Sequence, residues 1–235
     1  MKNKYTGLVC SFLLMLCGCD EGTIYPDETI DSGRTASVTV TFKGIDAWPK
    51  ENYLSLAAFG TDTQIPLLTK RISKPTIDGR ERTVKLNNLS PDTKSINIAI
   101  ISNGKKVIYS YCNQPVENNG ENIEINFGEL ELASFKRIQS QVFKTNCLSC
   151  HGESSSGIAG NLDLRENTAY KSLVNVKAPV SEEGMNYVTP GDPHNSFILE
   201  ILEENPIHKD MFNSTGKQEI LALIKTWIQE GAPNN

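Results

Sequence analysis

From Thr35 the chain alternates apolar and polar positions, with Val38, Val40 and Phe42 set against Thr39, Thr41 and Lys43. That period of two predicts a half-buried strand. Similar short runs recur at 54–59, 83–86, 96–101, 106–111 and 123–127. The breaks between them carry turn residues: Asp78-Gly79, Ser90-Pro91-Asp92, Asn103-Gly104 and Asn119-Gly120. Six or seven short strands punctuated in this way predict an all-β sandwich over residues 35–130. Beyond 130 the period lengthens. Phe135, Ile138, Val142 and Phe143 recur at helical spacing. Ile220, Leu221, Leu223, Ile224, Trp227 and Ile228 do so near the end, before the stop signals Gly231 and Pro233. The pattern therefore predicts two domains, 35–130 all-β and 131–235 helical.

The first residues read as an address. Met1-Lys-Asn-Lys4 is a short basic start, and the apolar run Leu8 to Leu16 has the length of a signal-peptide core, too short for a stable membrane-spanning helix. The run ends in Leu16-Cys17-Gly18-Cys19, which resembles the bacterial lipobox. The resemblance implies a signal peptide over 1–18, lipidation of Cys19, and a protein of the bacterial envelope held to a membrane by that lipid. Several acyl chains anchor far more firmly than one, since each buried methylene adds about 0.8 kcal/mol. The outer membrane is the expected location, and Asp20-Glu21, which resembles the acidic export signal of some Bacteroidetes lipoproteins, leaves both its periplasmic and its surface-facing leaflet open. Residues 19–34, with Pro26, Gly33 and no apolar period, read as a tether.

The formal net charge is −5, and removal of Lys2 and Lys4 with the leader takes it to −7. An acidic chain of this kind gives no reason to expect nucleic acid as a partner. Of the six cysteines, Cys10, Cys17 and Cys19 lie in the leader region, so no disulfide framework is indicated. Cys112 is an odd thiol, read most simply as a partly buried cysteine on a strand. Trp48 and Tyr53 are candidates for a sugar or protein contact surface, and more simply for core or loop aromatics. Leu89 to Ile98 looks like the corner before a late strand in immunoglobulin-like and fibronectin type III domains. Ser95 stands where those families place a tyrosine.

The chemistry concentrates in Cys147-Leu-Ser-Cys150-His151. Two thiols separated by two residues can add across the two vinyl groups of a haem, with the adjacent imidazole reaching the iron. C-x-x-C-H is the attachment signature of c-type haem. A zinc site would need a second Cys or His pair, and the chain has none at suitable spacing. A thioredoxin-type pair would need a βαβ setting, which the downstream sequence does not supply. Export outside the cytoplasm, where haem c is attached, agrees with the haem reading. Only one such motif is present.

The order of motifs is specific. Val142 to Gly152 comes first, then Gly160-Asn-Leu162-Asp-Leu164, then Val188 to Ser196, then Ile220 to Pro233 with Trp227. Together they resemble the monohaem cytochrome c domain of planctomycete and Bacteroidetes lipoproteins over about the last 100 residues. The resemblance implies an all-α cytochrome c fold for 131–235, with Phe143 and Trp227 beside the haem. It also implies covalent haem on Cys147 and Cys150, iron ligation by His151, and a methionine before the last helix as second axial ligand. That family has Met-Pro there; this chain has His208-Lys-Asp-Met211-Phe212, without the proline. Met211 is thus the expected sixth ligand. His208 is its alternative, with Met185 and then His194 behind them.

A six-coordinate His/Met haem exchanges electrons and does not bind substrate. The expected function is a membrane-anchored carrier of single electrons to or from an unidentified redox protein, not an enzyme. A second reading is a binding or adhesion lipoprotein whose β-sandwich recruits a partner or glycan and whose cytochrome serves an associated enzyme. A peroxidase would need an open iron site or a second haem.

Overall fold

Strand β1 (Ala36–Lys43) lies at the centre of a three-stranded sheet, with β4 (Glu81–Leu86) antiparallel on one side and β7 (Ile123–Glu131) parallel on the other. A second, antiparallel sheet has the order β3-β2-β5-β6, formed by β3 (Leu68–Arg71), β2 (Tyr53–Phe59), β5 (Ser95–Ile101) and β6 (Val107–Pro115). The computed structural model describes residues 33–152, 157–212 and 214–235, all within one compact unit, Ser32–Asn235.

The alternation on β1 has its expected result. Ala36, Val38, Val40 and Phe42 bury against Leu54 and Leu56 of β2 and Ile96, Ile98 and Ile100 of β5, so both sheets share one core. β5 is buried along its whole length, and its other face packs Ala99 and Ile101 against Ala57 and Phe59. A strand covered on both faces reads as a continuous apolar run, as Ile-Ala-Ile-Ile does here. Trp48 sits edge-on to Phe42, with ring centroids 5.4 Å apart, and so serves the core. β3, Leu-Thr-Lys-Arg, carries no alternation of its own and was not among the strands the pattern predicts.

After β7 the chain turns helical at α1 (Phe135–Ile138), capped by Ser134, whose hydroxyl accepts the Arg137 N–H at 3.2 Å. The run continues through a π-helical stretch, Gln139–Cys147, into α2 (Leu148–His151). There follow α3 (Ala169–Leu173), α4 (Phe197–Glu204) and α5 (Ser214–Gln229). Phe135 packs against Tyr170 and Trp227, with centroids at 5.2 and 5.3 Å, in a second core that also holds Phe143, Leu164 and Ile224.

The all-α cytochrome c fold expected for 131–235 is not what the chain forms, and the division into an all-β and an all-α domain is corrected accordingly. Seven strands in two sheets dominate the described residues, and the helices apart from α5 are short. Between α2 and α4 the backbone is held by turns and by isolated bridges: Val174 with Val188, Lys177 with Asn186, and Asn186 with Ser196. The composition accounts for this. Gly157, Gly160, Pro179, Gly184, Pro190, Gly191 and Pro193 interrupt any helical period between the two amphipathic segments.

Candidate functional site

Cys147, Cys150 and His151 stand at i, i+3 and i+4 at the end of the helical run that starts at Phe135. That spacing places all three side chains on one face. Valine and phenylalanine upstream set the face's rotation: Val142 and Phe143 are buried, and Cys147 and Leu148 pack against the same core. Cys147 is thereby half-buried and Cys150 exposed, both as free thiols. The widened turn before them leaves carbonyls that local side chains satisfy. Thr145 Oγ1 donates to the Ser140 carbonyl at 3.1 Å, and Asn146 Nδ2 donates to Gln141 and Val142 at 3.3 Å each. π-turns of this type concentrate at functional sites.

The His151 ring is oriented by its backbone neighbours. Its Nδ1 lies 3.2 Å from the carbonyl oxygen of Leu162, an acceptor only, so Nδ1 carries the proton and donates it there. Nε2 then holds a lone pair for a metal, the usual way an outer carbonyl fixes the tautomer of a ligating histidine. The same loop is pinned twice more. Leu164 N–H donates to the His151 carbonyl at 2.8 Å, and the buried Gln139 amide donates to the Leu164 carbonyl at 2.9 Å.

A second imidazole faces the first. His208 lies with its ring centroid 6.1 Å from that of His151, the planes inclined by 30°. Its Nδ1 donates to Asn205 Oδ1 at 3.1 Å, leaving its Nε2 free in turn. Asn205 also caps the turn, its carbonyl and side chain accepting the N–H groups of Ile207, His208 and Lys209. Burial first, and the neighbouring His151 second, push His208 below the usual imidazole value. Sequence reading missed Asn205, and it named Leu162 only as part of a motif, with no role for its carbonyl. The dipeptide Asn205-Pro206 is a turn signal that could have pointed to Asn205. A backbone carbonyl leaves no signal in the residue types.

Met211, the expected sixth ligand, follows on the same turn: its N–H donates to the His208 carbonyl at 3.1 Å, and its side chain is 37% exposed. Met185 is half-buried, with its N–H on Ser181 Oγ at 3.0 Å, and His194 is exposed. Cys112 receives the Ile98 N–H on its sulfur at 3.3 Å, and burial pushes its thiol up to about 11, an inert setting. Cys19 and the lipobox lie outside the described residues. Among the described residues no helix is long and apolar enough to cross a membrane.

The same physics bears on the rival uses of the motif. Burial, and then the proximity of Cys150, push the Cys147 thiol up to about 11, whereas a thiol–disulfide catalyst needs its nucleophile lowered. No group of three or more His, Cys, Asp or Glu side chains able to hold a metal ion is gathered among the described residues, which leaves zinc without a ligand set. Haem c asks for less: two thiols and one imidazole on one face, with that imidazole's outer nitrogen engaged. The residues present fit that requirement. A concavity of about 460 Å³ beside β6 and β7 is lined by Arg34, Gln114, Glu117 and Asn126 and does not include these residues. Comparison with known families, curated proteins and solved structures returned no match to this chain.

Proposed function

We propose that this chain is a c-type haem protein that carries single electrons, with one haem bonded to Cys147 and Cys150 and ligated by His151. The observation that carries the reading is the motif's geometry: three chemical groups on one helical face, with His151 Nδ1 committed to the Leu162 carbonyl and Nε2 left for iron. The bound haem would supply reversible one-electron redox chemistry. The chain's own residues do the rest. Cys147 and Cys150 hold the group irreversibly, Leu162 fixes the imidazole's tautomer and raises its basicity, and the buried side chains Phe143, Leu164 and Trp227 anchor the scaffold. The resemblance to monohaem cytochrome c lipoproteins supports this chemistry without the all-helical fold.

Cys19, in the lipobox-like segment, is proposed as the lipidated residue that tethers the chain to the envelope membrane, with the outer membrane as its site. The redox partner on this reading is another protein of the envelope.

The test uses the full chain made in a host with haem c maturation. Cys147→Ala with Cys150→Ala removes both thioether bonds, and haem staining of the denatured protein is expected to vanish. Staining that survives in the double variant overturns the covalent assignment.

A further inference from the structure

We propose that His208, and not Met211, is the second axial ligand, making the site a bis-histidine haem; this rests on the haem reading above. Three observations converge on it. The two imidazole centroids lie 6.1 Å apart with the planes inclined by 30°, so His208 is a ring brought close to His151. The two rings are prepared in the same way: His151 Nδ1 is committed to the Leu162 carbonyl and His208 Nδ1 to Asn205 Oδ1, which leaves an Nε2 lone pair on each.

The third observation is the rigidity of the turn that carries His208. Asn205 caps it at its start. Phe212 packs into the core at its end. Lys217 of α5 donates to the carbonyls of Glu203 and Lys209 at 3.2 and 3.1 Å, fastening the turn to the last helix. Met211, between these anchors, has 37% of its surface exposed and does not join the packed cluster that Phe212 joins. His208 is thus the side chain held in place, as a ligand must be when the site is built before the metal arrives.

The consequence is electronic. A thioether ligand favours ferrous iron and raises the potential, whereas a second imidazole does not. The carrier therefore works at a lower potential than the expected His/Met site, and its electron donors are reductants of correspondingly low potential.

The experiment takes the haem-loaded full chain and records its ferric far-red and near-infrared magnetic circular dichroism spectra. The wild type is expected to be low-spin and to lack the weak far-red band of thioether-to-iron charge transfer. His208→Ala is expected to keep covalent haem, turn high-spin, bind cyanide and carbon monoxide readily, and regain a low-spin spectrum on addition of imidazole. Met211→Ala is expected to leave all of these unchanged. His208→Met is expected to bring in the far-red band and raise the midpoint potential. A far-red band in the wild type overturns the proposal without need of any variant, as does a low-spin spectrum in His208→Ala without added imidazole. Absence of covalent haem from the wild type is a different result, since it removes the haem reading itself and this inference with it.

Discussion

Gly152 directly follows His151, and its hydrogen is there for a steric reason. A Cβ built on it would lie 2.5 Å from the Leu148 carbonyl oxygen, a backbone atom of the last helical turn that cannot swing aside. Gly152→Ala is expected to loosen the turn that aims His151, with a loss of about 1–3 kcal/mol as for other overpacked sites. A urea denaturation curve of the haem-free protein measures it. At the far end of the chain, Glu230 lies beside Glu131. Burial first, and the hydrogen bond with Glu131 second, push its carboxyl up to about 8. A folded-state value raised above the unfolded one means that folding holds a proton the unfolded chain releases. Stability from this group is fully present below about 4.5 and declines as pH rises towards 8. Glu230→Gln is expected to flatten that decline, by an amount on the order of 1 kcal/mol once solvent screening is allowed for. Melting temperatures of both proteins across that pH range decide it; parallel curves would contradict it. At this scale the sequence marked Cys147, Cys150 and His151 as candidates, because their chemistry is in their identity, and it placed Met211 ahead of His208 as the sixth ligand. It hid what aims them, since the Leu162 carbonyl and the Gly152 clash are backbone facts.

Arg137 shows how elements are joined. It is fully buried on α1, and its guanidinium donates to the Ala47 carbonyl at 2.7 Å, to Leu132 at 3.0 Å and to Gln141 Oε1 at 2.6 Å. It also pairs with Glu219 of α5 at 3.3 Å, and Glu219 accepts the N–H groups of Lys50 and Glu51. One ion pair thus ties the loop after β1, the end of β7, α1 and α5. Arg137→Ala leaves Glu219 half-compensated and several carbonyls unpaired, so a loss of about 3–5 kcal/mol is expected in a denaturant titration. A loss within experimental error of zero would mean that water replaces the guanidinium. The elements with strong periods were legible: the alternating strands, and the segments at 135–143 and 220–228. β3 was not, having four residues and no alternation. The expectation of an all-α domain failed because two amphipathic segments were read as a whole helical fold. The Gly- and Pro-rich chain between them satisfies its backbone through turns and bridges instead.

Across the whole molecule, the sheets and the helical segment share bonds as well as sequence. Tyr111 of β6 donates to the Leu132 carbonyl at 3.2 Å, and Tyr109 meets Ser134, the cap of α1, at 3.4 Å. The β part on this account holds the helical run that presents the haem motif, so its contribution to function is positional. Its strands other than β3 were legible from the sequence, but this attachment was not, because Arg137, Tyr109 and Tyr111 carry no pattern that marks a joint. Cys19→Ser is expected to move the protein from the membrane fraction to the soluble one, because it removes the thiol at the position where the lipobox-like segment would take its lipid; continued labelling with a palmitate analogue would contradict this. The central claim is the covalent haem, and mass spectrometry of the chain made with haem c maturation tests it most directly. Trypsin cuts after Lys144 and Arg165, and the peptide between, Thr145 to Arg165, contains both cysteines and His151. The account predicts that this peptide carries the mass of one haem and has no free thiol. The same peptide at its unmodified mass, with both thiols open to alkylation, would contradict it.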